Sequence, residues 1–177
     1  MGKHVLVLGG AKSGKTAFAE RLAMRMGTRP AYVATAEALD SEMRERIATH
    51  RRGRAGRFAD FEEPVEIAET IRIAAMRHDA ILVDCLTLWI SNLLGAGRNV
   101  AEEVETLAVA LDRIETARVI LVSNEVGLGI VPDNALARTY RDLAGWAHQR
   151  LAEIAGDVYF VAAGLPLTMK GQAPELD

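Results

Sequence analysis

Short apolar runs of strand length alternate along the chain with longer stretches in which apolar residues recur at helical spacing. Most of the short runs are apolar at every position, which is typical of strands that are covered on both faces. The alternation predicts an α/β fold with a mostly parallel sheet flanked by crossover helices. The predicted strands are residues 4–8, 31–34, 80–84, 119–123 and 158–162, and residues 165–169 are predicted to form an edge strand.

The amphipathic stretches predict five helices between these strands. They cover residues 15–26, 41–52, 65–76, 101–116 and 135–155. Pro64 fits the first turn of the third helix, where a missing backbone N–H is tolerated, and a further helix is expected to begin near Leu86. Residues 51–57 are rich in arginine and glycine, and this composition predicts a loop.

The segment between the first strand and the first helix carries a nucleotide-binding motif. Residues 9–16 match G-x-x-x-x-G-K-[ST] in the expected context, with an apolar strand before them and a helical pattern after them. Backbone N–H groups of such a loop turn inward on phosphates, and the start of the helix adds the positive end of its dipole. We expect Lys15 to reach the β- and γ-phosphates and Thr16 to bind magnesium. The predicted nucleotide contacts of this loop are Gly9, Gly10, Ala11, Lys12, Ser13, Gly14, Lys15 and Thr16.

A P-loop needs an acidic partner at the end of a neighbouring strand to hold the metal ion. Asp84 closes the apolar run at residues 80–84 and is the candidate for that role. An aspartate after a strand is also a common cap of the next helix. The sequence leaves both roles open for Asp84.

His50 is a candidate nucleophile near the end of the predicted helix at residues 41–52. Nearby guanidinium groups disfavour a protonated imidazole, whereas the carboxyl end of a helix favours it. A neutral imidazole is a nucleophile, and the arginines suit the phosphates of a bound nucleotide. The alternative is a packed or surface histidine followed by a solvated loop. The arginines are Arg51, Arg52, Arg54 and Arg57.

Length and composition limit the classes of protein that this chain can belong to. With 177 residues, half of them apolar, we expect residues 1–177 to form one nucleotide-binding domain. The net charge of −3 gives no global attraction for nucleic acid or an anionic membrane. A lone cysteine, Cys85, fits a reducing cytosol, and no apolar run reaches the roughly 20 residues of a membrane span. A soluble cytoplasmic protein is therefore expected.

Several segments beyond the P-loop are shared with one known family. Residues 32–36 read Tyr-Val-Ala-Thr-Ala, and residues 83–89 read Val-Asp-Cys-Leu-Thr-Leu-Trp. Ser-Asn-Glu-Val-Gly at residues 123–127 is followed closely by Gly-Ile-Val-Pro at residues 129–132, a highly specific combination. Over nearly its whole length the chain resembles the bifunctional adenosylcobinamide kinases / adenosylcobinamide-phosphate guanylyltransferases of adenosylcobalamin synthesis.

The resemblance implies a P-loop NTPase-like (RecA-like) fold, ATP, GTP and magnesium as cofactors, and adenosylcobinamide, a corrinoid, as the substrate. ATP or GTP would phosphorylate the corrinoid, and GTP would then donate GMP to that phosphate through a GMP-histidine intermediate. His50 matches the family's histidine. His50 and, from the P-loop motif, Lys15 are the predicted catalytic residues. The family also suggests a homo-oligomer, specifically a trimer. The further nucleotide contacts that the resemblance implies are Ala34, Thr35, Ala36, Arg51, Arg52, Gly53, Arg54, Glu62 and Asp84.

The chain departs from the family pattern just before Glu62. The family usually has Trp and then Thr where this chain has Phe58 and Asp60. Phe58 keeps an aromatic ring, so a stacking or packing role can persist. The departure puts the geometry of this segment in question.

Two other readings of the sequence remain. One is a small-molecule kinase with P-loop chemistry alone, in which His50 is structural. The other is a RecA-like ATPase or nucleic-acid-binding switch that uses the arginines to grip phosphates. The acidic net charge and the lack of aromatic residues around the arginines count against nucleic acid. In the bifunctional reading, Asp84 and Glu125 are the candidate general bases of the kinase step.

Overall fold

The computed structural model of the protein describes residues 4–37, 45, 49, 52–54 and 56–174. Within these residues the strands are β1 (Val5–Gly9), β2 (Pro30–Ala34), β3 (Ala59–Glu62), β4 (Ala80–Asp84), β5 (Arg118–Asn124), β6 (Asp157–Ala162) and β7 (Leu165–Lys170). They form one sheet in the order β3-β2-β4-β5-β1-β6-β7. All neighbouring pairs are parallel except β6 and β7, which are antiparallel. The predicted sheet and its edge strand are confirmed.

The described helices are α1 (Lys15–Met26), α2 (Ile67–Ala74), α3 (Leu86–Gly95), α4 (Val100–Arg113) and α5 (Ala135–Ile154). Asn99 and Asn134 cap α4 and α5, because each side chain accepts hydrogen bonds from backbone N–H groups of the first turn. No helix in the described part of the chain is long and apolar enough to cross a membrane.

The alternation of side chains along each strand divides the core between the two faces of the sheet. Leu6, Ile81 and Leu121 contribute to the face that packs against α2, α3, α4 and α5. Val7 and Leu82 contribute to the opposite face, which packs against α1. Within β4, a side chain two residues from Leu82 points to the same face as Leu82 and therefore toward α1.

Strand β3 was not predicted from the sequence. It has four residues, Ala-Asp-Phe-Glu, which are alternately half-buried and exposed, so the segment has no continuous apolar signal. Its backbone is held by parallel pairing with β2 at the edge of the sheet. This pairing is between distant parts of the chain and leaves little trace in the local sequence.

Two predictions around residues 51–64 are wrong. The backbone of residues 52–54 is helical instead of forming a loop, whereas most of the predicted helix at 41–52 lies outside the described residues. Pro64 is not in the first turn of α2, which begins at Ile67. Glu63 instead accepts hydrogen bonds from the N–H groups of Val65 and Glu66, and these bonds hold a turn before the helix.

The side chain of Asp79, just before β4, binds the residues that follow α1. It lies at the amino ends of the parallel strands, whereas the P-loop lies at their carboxyl ends. Its carboxylate accepts hydrogen bonds from the backbone N–H and hydroxyl of Thr28 and from the N–H of Arg29. Burial acts to raise the pKa of Asp79, but these hydrogen bonds together lower it to about 2. The folded protein therefore favours the charged carboxylate.

The Asp79→Asn variant is expected to lower the free energy of unfolding by about 2 kcal/mol at neutral pH, because it weakens hydrogen bonds to a charged acceptor. The contribution of Asp79 is fully present above the unfolded pKa of about 3.9. It is lost as the pH falls through the folded pKa of about 2. Urea unfolding at several pH values measures this difference, with Asp112→Asn on the exposed side of α4 as the control. A difference that did not change between pH 7 and pH 2 would contradict the prediction.

Candidate active site

The P-loop, residues 9–16, joins β1 to α1 at the carboxyl edge of the sheet. Gly14 has a φ of 92°, in the left-handed region that glycine adopts without strain. A Cβ on Gly14 would lie 3.0 Å from the Cα of Gly164 in the turn between β6 and β7. The N–H of Gly164 also donates to the carbonyl of Ser13, at 2.8 Å. The β6–β7 turn therefore supports the loop from outside.

The polar groups inside the loop fit a phosphate ligand. The Oγ of Ser13 is buried and has no hydrogen-bond partner in the described part of the chain. Lys15 is also buried, and its Nζ donates to the carbonyl of Gly10 at 3.0 Å. Burial lowers the pKa of Lys15, whereas the negative charge of Asp84 raises it. An ammonium group and an unpartnered hydroxyl at the amino end of a helix form a site for an anion.

Thr16 and Asp84, the two predicted magnesium ligands, are brought together. The hydroxyl of Thr16 donates to Oδ2 of Asp84 at 3.1 Å. Asp84 follows Leu82 by two residues on β4, so its side chain points to the face of the sheet that α1 covers. Magnesium is typically held by one or two protein oxygens together with the phosphates of its nucleotide. The threonine hydroxyl and the carboxylate fit this pattern.

The alternative role of Asp84 as a helix cap is wrong. The N-cap of α3 is Cys85, and no side chain caps this helix. The peptide between Asp84 and Cys85 is cis. The Asp84 carboxylate accepts a second hydrogen bond, from the phenol of Tyr32 at 2.7 Å. Burial raises the pKa of Tyr32, and the charge of Asp84 raises it further, so the phenol remains a proton donor.

Three of the predicted nucleotide contacts lie side by side where strands β3, β2 and β4 end. Ala34 is paired in register with Glu62 on one side and with Asp84 on the other. Glu62 is exposed, and Ala34 and Ala36 are half-buried. The structure therefore places these residues on the same edge as the P-loop, as the parallel topology requires.

Thr35 differs from its neighbours because its side chain is fully buried. Its hydroxyl donates to the carbonyl of Cys85 and accepts from the N–H of the same residue, each at 2.8 Å. Its own N–H donates to the carbonyl of Asp84. The side chain of Thr35 thus ties the ends of β2 and β4 together, and its carbonyl accepts from the side-chain amide of Asn92 at 2.8 Å.

The structure describes only part of the segment around His50, the predicted nucleophile. His50 and Arg51 lie outside the described residues. Arg52 and Gly53 are exposed, and Arg52 donates to the hydroxyl of Thr49. Arg54 is buried instead of solvated, at 4% exposure. Its guanidinium lies 3.5 Å from the centre of the Tyr32 ring and 3.2 Å from Asp60.

Glu125 lies beside the P-loop, and its N–H donates to the carbonyl of Gly9 at 3.0 Å. Its carboxylate accepts from the N–H groups of Gly127 and Leu128, at 2.7 and 3.0 Å. The side chain therefore shapes its own turn in this structure. Whether Asp84 or Glu125 acts as a general base stays a prediction.

A hydrogen-bond network behind the site was missed in the sequence. The hydroxyl of Thr87 contacts the Cys85 thiol and the Asn124 side-chain amide, each at 3.0 Å. The Tyr140 phenol donates to the Thr87 carbonyl, and burial raises the pKa of Tyr140 to about 12. Tyr32 was also missed as a partner of Asp84. The only local signal was a hydroxyl-bearing residue within an apolar strand.

Similar folds occur among solved structures of P-loop ATPases. The ATPase EscN of the enteropathogenic E. coli type III secretion system matches with a TM-score of 0.56 at 10% identity, over 92% of this chain and 43% of EscN. A KaiC-like protein of Pyrococcus horikoshii matches with a TM-score of 0.50 at 16% identity, over 89% of this chain and 71% of that protein. At these identities the likeness shows the fold alone, and it confirms the predicted RecA-like α/β fold.

Similar sequences among characterised proteins point to one family. The bifunctional adenosylcobalamin biosynthesis protein CobP of Pseudomonas aeruginosa is 48% identical over 94% of this chain and 97% of its own length. The corresponding protein CobU of Salmonella typhimurium is 39% identical over 94% of this chain and 99% of its own length. The model of the family described as cobinamide kinase / cobinamide phosphate guanyltransferase matches residues 5–169. The resemblance seen in the sequence is thus confirmed, and the chain belongs to the cobinamide kinase / cobinamide phosphate guanyltransferase family.

Proposed function

We propose that this protein phosphorylates adenosylcobinamide with ATP or GTP and then transfers GMP from GTP to the phosphate, giving adenosylcobinamide-GDP and pyrophosphate. The observation that carries the proposal is the convergence of Lys15, Thr16 and Asp84 at one P-loop in a chain that matches the family over residues 5–169. We propose that both reactions use this one nucleotide site.

In the kinase step, the oxygen of the corrinoid hydroxyl attacks the γ-phosphorus, the bond from that phosphorus to the bridging oxygen breaks, and the nucleoside diphosphate leaves. The hydroxyl proton passes to a general base, for which Asp84 and Glu125 are the candidates. The loop N–H groups and the ammonium of Lys15 hold the phosphates and oppose the negative charge that develops on them. Thr16 and Asp84 would hold magnesium, which supplies further charge neutralisation when bound. Because the Thr16 hydroxyl donates a hydrogen bond to Asp84, a lone pair of its oxygen is left for the metal.

In the guanylyl step, we propose that a ring nitrogen of His50 attacks the α-phosphorus of GTP. A P–N bond forms, the bond from the α-phosphorus to the bridging oxygen breaks, and pyrophosphate leaves. An oxygen of the corrinoid phosphate then attacks the same phosphorus and displaces His50. This divides one difficult displacement into two easier ones.

The other three histidines of the chain support the assignment to His50 by their positions. His4 and His148 are buried and hydrogen-bonded, His4 to the Leu111 carbonyl and His148 to the Ser123 hydroxyl. Burial lowers the pKa of His148, and Glu125 raises it. His78 lies at the amino end of β4, away from the P-loop edge, and contacts the Arg29 carbonyl.

We also propose that residues 1–177 act as one nucleotide-binding domain in the cytoplasm and assemble into a homo-oligomer, specifically a trimer. Large exposed apolar side chains support assembly, because such groups cluster on surfaces that become covered. Sedimentation analysis would measure the mass of the particle, and a monomer would contradict this part of the proposal. These side chains follow β5 or lie on β7: Leu128, Ile130, Val131, Leu136, Leu165, Leu167 and Met169.

The function is tested by incubating the purified protein with GTP and adenosylcobinamide and separating the corrinoid products by mass. The expected products are first the phosphate and then the GDP derivative. Formation of the phosphate alone would indicate a kinase in which His50 is structural. Hydrolysis of GTP with no change in the corrinoid would contradict the proposal and favour an ATPase-like protein.

A further inference from the structure

Tyr32 lies between the residues predicted to hold the metal ion and the arginine segment, and it has no assigned role in the chemistry above. Its phenol donates to Oδ2 of Asp84 at 2.7 Å, the same oxygen that accepts from Thr16 at 3.1 Å. We propose that Tyr32 is a positioning residue that fixes the Asp84 carboxylate for the metal ion, and that Arg54 holds Tyr32 in place. This inference rests on the proposed function of the site.

The sheet explains why a tyrosine at this position reaches Asp84. Tyr32 is paired in register with Leu82, and Asp84 follows two residues later on the same face of β4. A long side chain on one strand reaches such a diagonal neighbour on the next. Tyr32 and Thr16 approach the carboxylate from different elements, β2 and α1. Both donors bind Oδ2, so they fix the orientation of the carboxylate, and Oδ1 receives neither bond.

Two side chains, Arg54 and Phe58, pack against the ring of Tyr32. The guanidinium of Arg54 lies over the face of the Tyr32 ring, 3.5 Å from its centre. The ring of Phe58 packs perpendicular to it, at 5.9 Å between centres and 82° between planes. Asp60 binds Arg54 at 3.2 Å, with the Arg54 side chain only 5% exposed. The ring therefore has little freedom to rotate away from Asp84.

These contacts connect the arginine segment to the predicted metal site. Arg54 belongs to the helical residues 52–54, which follow His50 closely in the chain. Phe58 and Asp60, the two departures from the family pattern, are the residues that contact Tyr32 and Arg54. In this chain the two departures thus belong to one group of contacts, and this group orients the Asp84 carboxylate.

The test is metal binding by the Tyr32→Phe variant, which keeps the ring and removes only the hydroxyl. The probe is Mn²⁺ in place of magnesium, titrated in the presence of a non-hydrolysable GTP analogue and followed by electron paramagnetic resonance. The expected result is a rise of about tenfold in the Mn²⁺ concentration at half-saturation, the lower end of the effects seen when partners of metal ligands are removed. Thermal unfolding of the variant should remain close to that of the wild type.

Tyr159→Phe is the matched control. Tyr159 and Tyr32 are both 3% exposed and belong to the same apolar cluster. Tyr159 also makes a perpendicular aromatic contact, with Phe18, but its phenol donates to the carbonyl of Gln172. Metal binding by this variant is expected to be unchanged. Wild-type metal affinity in Tyr32→Phe, or an equal loss in Tyr159→Phe, would overturn the proposal.

Asp60→Asn tests the part of the proposal that concerns Arg54. Loss of this ion pair is expected to raise the half-saturating Mn²⁺ concentration by about threefold, less than loss of the Tyr32 hydroxyl, because Arg54 acts on the carboxylate only through the Tyr32 ring. No change would overturn the role of Arg54 and leave that of Tyr32 to the first variant. Failure of the wild type to bind the analogue at all would instead contradict the proposed function, so the two failures are distinguishable.

Discussion

Lys15→Ala is expected to reduce phosphoryl transfer and guanylyl transfer together, each by about 10²–10³-fold or more, the scale seen when one preorganised donor to a developing charge is removed. The ammonium of Lys15 is buried beside Asp84 at the start of α1. In the kinase step it would face the transferring phosphoryl group, and in the guanylyl step the departing pyrophosphate. A buried charge acts strongly on such groups because water screens it poorly.

The two rates are measured separately, with γ-labelled nucleotide for the kinase step and α-labelled GTP for the transfer of GMP. Arg21→Ala is a suitable control, because Arg21 is an exposed cation on the same helix. Thermal unfolding of both variants would exclude a loss of fold. Loss of only one activity in Lys15→Ala would argue for two separate nucleotide sites and against the use of one P-loop by both reactions.

His50→Ala is expected to abolish the covalent GMP adduct while nucleotide binding at the P-loop is largely retained. The adduct is detected as label from α-labelled GTP that stays with the denatured protein. A phosphoramidate to histidine is released by acid and survives in base, which separates it from an ester. The expected loss is complete for the adduct because alanine offers no nucleophile.

His78→Ala provides the comparison, since His78 lies at the amino ends of the strands, away from the P-loop at their carboxyl ends. It should form the adduct as the wild type does. Persistence of label on His50→Ala would mean that another side chain is the nucleophile. Unchanged synthesis of adenosylcobinamide-GDP without any adduct would instead favour direct attack by the corrinoid phosphate.

The features that depend on local sequence were predictable. The P-loop is encoded by adjacent glycines, a lysine and a threonine between a strand and a helix, and α1 begins and ends where the periodicity indicated. Asp84 could be placed near Thr16 because the carboxyl ends of parallel strands share one edge of the sheet. Residues 15–26 needed no knowledge of distant contacts.

The features that depend on pairing between distant segments were not predictable. Strand β3 is stabilised by β2 and has no apolar pattern of its own. A run of arginines suggests solvated side chains. Arg54 is buried nevertheless, because the face of the Tyr32 ring and the Asp60 carboxylate together stabilise its positive charge. Such a choice is made by tertiary structure, and composition alone does not reveal it.

The hydrogen bond from the Gly164 N–H to the Ser13 carbonyl makes the P-loop depend on two parts of the chain made at very different times. During synthesis, the P-loop leaves the ribosome long before the β6–β7 hairpin exists. Until that hairpin docks, the Ser13 carbonyl lacks the hydrogen bond that the Gly164 N–H donates to it. A nascent chain would therefore gain full nucleotide affinity only late in translation, which separates the onset of ligand binding from the formation of the motif itself.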